Sequence, residues 1–187
     1  MWQLSNDYTI ELARRFLLDD FLKVVRRTRF LYVDTVPPIT IGHGYYEPVI
    51  LSLCWCDFLG ALYCGDGEIG HTARSKRFIE EVMGRFNPRY SSIANHLVKT
   101  YRHGPVHAYA PEGNFNILIS NDAEHLNEVQ NPYCLKLSVK TLLDDLENSV
   151  IWYANNLNHA DDARAGSIEA LNNARRDLLN YTTEPDT

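Results

Sequence analysis

Arg102, His103 and His107 lie within six residues of one another in the stretch Lys99–Gly113, "KTYRHGPVHAYAPEG". Two imidazoles and a guanidinium at this spacing suit phosphodiester cleavage. Breaking an RNA backbone needs a base for the 2′-hydroxyl proton and an acid for the 5′-oxygen. Histidine serves both because its pKa lies near neutral pH. Arginine keeps its proton, and its fork fits the non-bridging oxygens whose charge grows in the transition state. The 2′-hydroxyl is an internal nucleophile, so the chemistry needs no metal. The same residues also read as helix punctuation. Cations favour a helix C-terminus, Gly104 suits the left-handed position after it, and Pro105 stops continuation.

The helix that delivers this stretch is expected to begin at Asn87-Pro88, a cap followed by proline at the first helical position, and to run to about His103. Arg89, Ser92, His96, Lys99 and His103 recur on it at i, i+3, i+7, i+10 and i+14. They predict one cationic face without a carboxylate of its own. Arg89, His96 and Lys99, with Tyr109 beyond the motif, are candidate substrate-binding residues. His43, between two glycines, is a weaker candidate for a third site residue.

Arg102-His103-Gly104-Pro105-Val106-His107 has the pattern arginine, polar residue, three residues, histidine. This resembles the signature of the HEPN superfamily (higher eukaryotes and prokaryotes nucleotide-binding), and the surrounding stretch resembles uncharacterised bacterial proteins of that kind. The resemblance covers roughly residues 50–113 and the helix beginning at Ser138. It implies a bundle of four or more helices, often dimeric, and in many members metal-independent endoribonuclease activity. Carried over by position, it implies Arg102 and His107 as catalytic residues, with His103 at the polar position. That position is more often Asn or Asp, and Pro105 inside the motif is unusual. The superfamily also contains inactive, purely binding members, so a non-catalytic module for nucleotide, RNA or a protein partner is the alternative. The expected setting is toxin or defence, with an antitoxin-type protein partner.

The other elements are read from periodicity. A first helix is expected over about 6–31, with Ile10, Ala13, Leu17, Phe21, Val24 and Leu31 inward. Residues 33–47 form a loop, broken by Pro37-Pro38 and Gly42-His43-Gly44. A second helix over about 47–63 is apolar around most of its circumference, which calls for a central position or a partner. A third is expected over about 73–86, with Phe78, Ile79, Val82 and Met83 inward. Residues 115–120 and 133–138 read as short strands, predicted to pair as an antiparallel hairpin inserted after the motif. Ser138 should cap a helix running to about Leu157, and a last amphipathic helix is expected over about 163–180 before a loose tail. The fold class is therefore mostly α: one domain over 1–187, with a helical bundle over about 6–160.

The 187 residues are 45% hydrophobic, enough for a core. The net charge is −6, and residues 112–187 hold 13 of the 24 acidic side chains but only 5 of the 18 basic ones. This argues against broad, nonspecific nucleic-acid binding and leaves room for a local basic groove. The longest apolar stretch, about 16 residues over Val49–Cys64, carries Asp57, and is read as a buried helix rather than a membrane span. Cys54, Cys56, Cys64 and Cys134 lack metal-site spacing and read as buried free thiols, which fits a reducing cytoplasm. The start of the chain lacks the basic and apolar pattern of a secretory signal. No cofactor, structural metal or membrane partner is expected, and a homodimer is.

Overall fold

The computed structural model describes residues 6–35, 46–64, 70–99, 115–118, 122–129 and 134–157. They form a mostly α-helical fold. The first rod begins as α1 (Asn6–Arg15), passes through a π-helical segment (Phe16–Phe21), continues as α2 (Leu22–Arg29) and ends in a second π-helical segment (Phe30–Asp34). Next come α3 (Tyr46–Cys64), α4 (His71–Glu81), α5 (Arg89–Leu97) and α6 (Val139–Asn155). Between α5 and α6 lie β1 (Phe115–Leu118), β2 (Glu128–Val129) and β3 (Cys134–Ser138).

The π-helical segment changes which face of the first rod is buried. Ile10, Leu17 and Phe21 are inward as expected. Beyond them Leu22, Val25 and Thr28 are buried, while Val24 and Leu31 are each 49% exposed. A π turn holds one residue more than an α turn, so the inward stripe slips forward along the sequence after it. The rod is fastened to α6 by Arg26 to Glu147 and Arg29 to Asp144, both at 2.8 Å.

α3 spans 19 residues, longer than its apolar stretch suggests, and by length and composition it meets the requirement for a membrane crossing. In this fold Val49, Leu53, Cys56, Leu59 and Tyr63 are buried, so its inner face belongs to the core. Asp57, in its middle, receives Arg74 Nε of α4 at 2.5 Å. Tyr63, Phe78 and Tyr153 meet edge to face, with centroids 5.8–6.3 Å apart, and join α3, α4 and α6. Of the thiols, Cys56 is buried, but Cys54 is exposed and Cys64 half-buried, because the three positions point to different sides of α3.

α6 starts where its sequence says it should. Ser138 is extended, and its hydroxyl accepts the Thr141 N–H at 3.3 Å. Leu142, Leu143, Leu146, Val150 and Tyr153 are all buried. The strands differ from the expected antiparallel hairpin. β1 pairs with β3 in parallel, Phe115 opposite Leu135, and β2 takes the other edge of β3 antiparallel. The 122–129 segment turns the chain back between β1 and β3, so the two longer strands run the same way. The last helix expected, about 163–180, lies outside the described residues, as do His43 and the tail.

The α3–α4 contact depends on a missing side chain. A Cβ at Gly60 would fall on the Arg74 carbonyl, 2.6 Å from its carbon, whereas one at Gly70 meets nothing within 4 Å. Gly60→Ala should therefore destabilise the protein by about 1–3 kcal/mol through forced separation of the helices. Gly70→Ala, free of that clash, should cost clearly less. Thermal melts of the two variants beside wild type check this.

Candidate functional site

α5 begins as the sequence predicts, with Asn87 Oδ1 accepting the Arg89 N–H at 3.1 Å. Tyr90, Ile93 and Leu97 are buried, which turns Arg89, Ser92, His96 and Lys99 away from the core centre. The helical path continues through Lys99. Arg102, His103, His107 and Tyr109 lie outside the described residues.

The segment 122–129 packs beside α5 and forms the second wall of a cleft. A volume of about 260 Å³ opens between Arg89, Ser92 and Ile93 on the helix and Leu126, Asn127 and Glu128 opposite. Arg89 crosses it, donating to the His125 carbonyl at 3.2 Å and to Asn127 Oδ1. Part of its fork is thus used in holding the wall. Leu126 sits at φ 60°, a rare conformation for a branched side chain. Its buried side chain and its N–H bond to the Lys136 carbonyl, 2.7 Å, keep it there.

The charge of the cleft differs from that of an isolated α5. Arg89 and Lys99 are cationic, and α5 itself carries no carboxylate, but β2 brings Glu128 to the facing wall. His96 is half-buried, and burial lowers its pKa, with Glu128 pulling the other way. The cleft lining therefore sets one cation, Arg89, against one carboxylate, Glu128, while His96, whose pKa burial lowers, and Lys99 lie further along the same helical path.

Behind the wall lies a group of residues that sequence reasoning did not single out as a site. His125 is 2% exposed. Its Nδ1 accepts the Ser138 N–H at 3.1 Å, and a backbone N–H can only donate. The neutral ring therefore carries its proton on Nε2, which reaches the Tyr90 hydroxyl at 2.8 Å. Asp145 stands beside this pair, its Oδ2 3.8 Å from the same Nε2. At the near end Asp122 accepts Thr141 Oγ1–H at 2.5 Å and Lys140 at 3.0 Å, bonds that hold its carboxyl below the usual range. The segment is thus pinned at Asp122 to the start of α6, at His125 to Tyr90 and at Asn127 to Arg89. Tyr90 was legible as a core residue. His125, inside a polar stretch, offered no pattern that would mark it as buried.

Burial pushes His125 down to about 4 and Asp145 up to about 6, the Tyr90 hydroxyl opposing the second shift. Both groups resist charging in this apolar setting. Among the described residues, no three His, Cys, Asp or Glu side chains gather as a metal site. Compared with protein-family models, with curated proteins and with solved structures, the chain gives no match. Its class is therefore stated from the fold alone, as a mostly α-helical protein with a three-stranded β element before its last described helix.

The two shifts act on stability with opposite sign. Between pH 6.5 and about 4 the unfolded chain protonates His125 and the folded one does not. The His125 contribution is thus full above pH 6.5 and is lost as pH falls. Between pH 3.8 and about 6 the folded chain keeps a proton on Asp145 that the unfolded chain releases. That contribution is full below pH 3.8 and is lost as pH rises. Asp145→Asn removes only the second. The stability of the variant relative to wild type should grow with pH from 4 to 6, by up to about 1.4 kcal/mol per unit. Urea unfolding at several pH values measures this, and a pH-independent difference would contradict a buried, protonated carboxyl.

Proposed function

We propose that this protein is a metal-independent endoribonuclease of HEPN type. Arg102 and His107 carry the catalysis, with His103 beside them. The observation that supports this reading is the course of α5. It sets Arg89 and Ser92 on the rim of an open cleft, carries His96 and Lys99 in the turns that follow, and leads three residues later to Arg102. Arg89 and Lys99 on this edge suit an RNA backbone, and Arg102, His103 and His107 follow Lys99 in the sequence.

In the proposed reaction one imidazole takes the 2′-hydroxyl proton while the 2′-oxygen attacks phosphorus. The other protonates the departing 5′-oxygen, and Arg102 holds the non-bridging oxygens. The products are a 2′,3′-cyclic phosphate and a 5′-hydroxyl. A cytoplasmic toxin or defence role, restrained by an antitoxin-type protein, is the setting in which such an activity fits. The thiols Cys54, Cys56 and Cys64, none in a disulfide, accord with a reducing compartment.

A second reading draws on Glu128 and on the use of Arg89 to hold Asn127. A guanidinium already engaged, with a carboxylate beside it, leaves little positive charge to stabilise a cleaving transition state, which favours a non-catalytic module that binds nucleotide, RNA or a protein partner there. Incubation of purified protein with RNA in EDTA separates the two. The nuclease reading predicts cleavage, slowed about 10²–10⁴-fold in His107→Ala and by a similar factor in Arg102→Ala. Wild type that binds RNA or nucleotide and never cuts supports the binding module.

A further inference from the structure

The cleft takes its two charges from facing elements, Arg89 from α5 and Glu128 from β2. Arg89 holds the wall through Nη1, from which the His125 carbonyl accepts at 3.2 Å and Asn127 Oδ1 also accepts. A guanidinium carries five N–H donors in one plane, so the edge made by Nε and Nη2 is not used in those two bonds. Asn127 is turned inward, its amide donating to the Ala123 carbonyl at 3.2 Å while its oxygen accepts from Arg89. The Glu128 carboxylate acts on His96 of α5 against the effect of burial, which sets its charge on the side facing that helix. Ile93, 5% exposed, and Leu126, 2% exposed, give the cleft an apolar floor.

A cation and a carboxylate over one apolar floor, in about 260 Å³, suit a flat ring system with donors on one edge and acceptors on the next. Single-stranded RNA is read in this way, by a base laid flat and bonded along its edges. Among the four RNA bases guanine meets both groups in full. Its N1–H and N2–H lie side by side and match the two oxygens of a carboxylate. Its O6 and N7 accept from an arginine fork. Adenine would turn its N6 amine toward that fork. Uracil has one N–H between two carbonyls. Cytosine brings only its N4 amine to the carboxylate, which leaves half of that group unused.

We propose that the cleft between α5 and the 122–129 segment is a guanine-binding pocket, with Glu128 on the N1–H and N2–H edge and Arg89 on the O6 and N7 edge. The inference rests on the reading of this cleft as a surface that contacts RNA or nucleotide, and it adds which base is held. It applies equally to a protein that cuts RNA and to one that only binds it.

Calorimetric titration of the full chain with GMP, IMP, AMP, CMP and UMP in EDTA tests it. GMP should bind at least about tenfold tighter than AMP, CMP and UMP, the discrimination that a good two-bond base contact gives. IMP, which lacks the N2 amine, should bind several-fold more weakly than GMP. Glu128→Gln should weaken GMP at least about tenfold and bring GMP and IMP level. Glu128 is exposed, so this change should leave the fold intact, as circular dichroism will show. Removing a negative charge alone would tighten every nucleotide, so a loss confined to GMP and IMP reads the base contact itself. Short RNAs, 2′-O-methylated so that they cannot be cut, separate the two sources of guanine. A strand with one guanine among adenines that binds tighter than all-adenine RNA places the ligand in RNA. GMP selectivity without that gain places it in the free nucleotide. The proposal falls if neither GMP nor the single-guanine strand outbinds its adenine counterpart, if CMP outbinds GMP, or if Glu128→Gln leaves guanine binding unchanged. Guanine selectivity in a protein that cuts no RNA removes the nuclease reading alone, and RNA cleavage without guanine selectivity removes this inference alone.

Discussion

The ring of His125 is enclosed, and both its nitrogens are engaged, one by a backbone N–H of β3 and the other by the hydroxyl of Tyr90 on α5. A buried polar group without partners costs on the order of 1–3 kcal/mol, so these two bonds fix where the ring can sit. Once the ring is fixed, its own carbonyl is aimed at Arg89, Leu126 is turned into the left-handed region, and Asn127 and Glu128 form the wall facing α5. The cleft is therefore a consequence of one imidazole's hydrogen bonds. Asp145 adds to the constraint from α6, where a carboxyl whose pKa burial raises to about 6 sits beside the same pair.

The helical core behind this pin is held by other means. α3 and α4 approach closely at Gly60, an ion pair from Asp57 to Arg74 crosses the seam, and a three-ring cluster carries the contact on to α6. Arg26 and Arg29 fasten the first rod to α6 from outside. Stability comes from apolar burial, and the polar contacts set direction. This division explains how a short polar segment can position a cleft without itself contributing much core.

Much of the helical layout was legible because amphipathic periods survive in isolation. Phe78, Ile79, Val82 and Met83, Tyr90 to Leu97, and Leu142 to Tyr153 are buried where their spacing says they should be. The Ser138 and Asn87 caps work as their residue types imply. What failed to show depends on longer-range geometry. A π turn leaves no mark in a pattern of apolar residues, so Val24 and Leu31 read as core and lie outside. Alternation marks a strand but not its direction, so the parallel pairing of β1 with β3 was read as a hairpin. Of the candidate site residues, Arg89, His96 and Lys99 keep to one side of α5, and Arg102, His103, His107 and Tyr109 fall outside the described residues. Glu128 enters the picture only through folding, because it comes from another element.

The central claim is that a neutral His125, protonated on Nε2 and accepting from Ser138 on Nδ1, holds the wall of the cleft. Long-range proton–nitrogen correlation spectra of the ¹⁵N-labelled protein at pH 7 read the state of that ring directly. The structure predicts a protonated Nε2, an unprotonated Nδ1 and no titration until the pH approaches about 4. A ring protonated on Nδ1, or one that titrates near the ordinary value of 6.5, would contradict it.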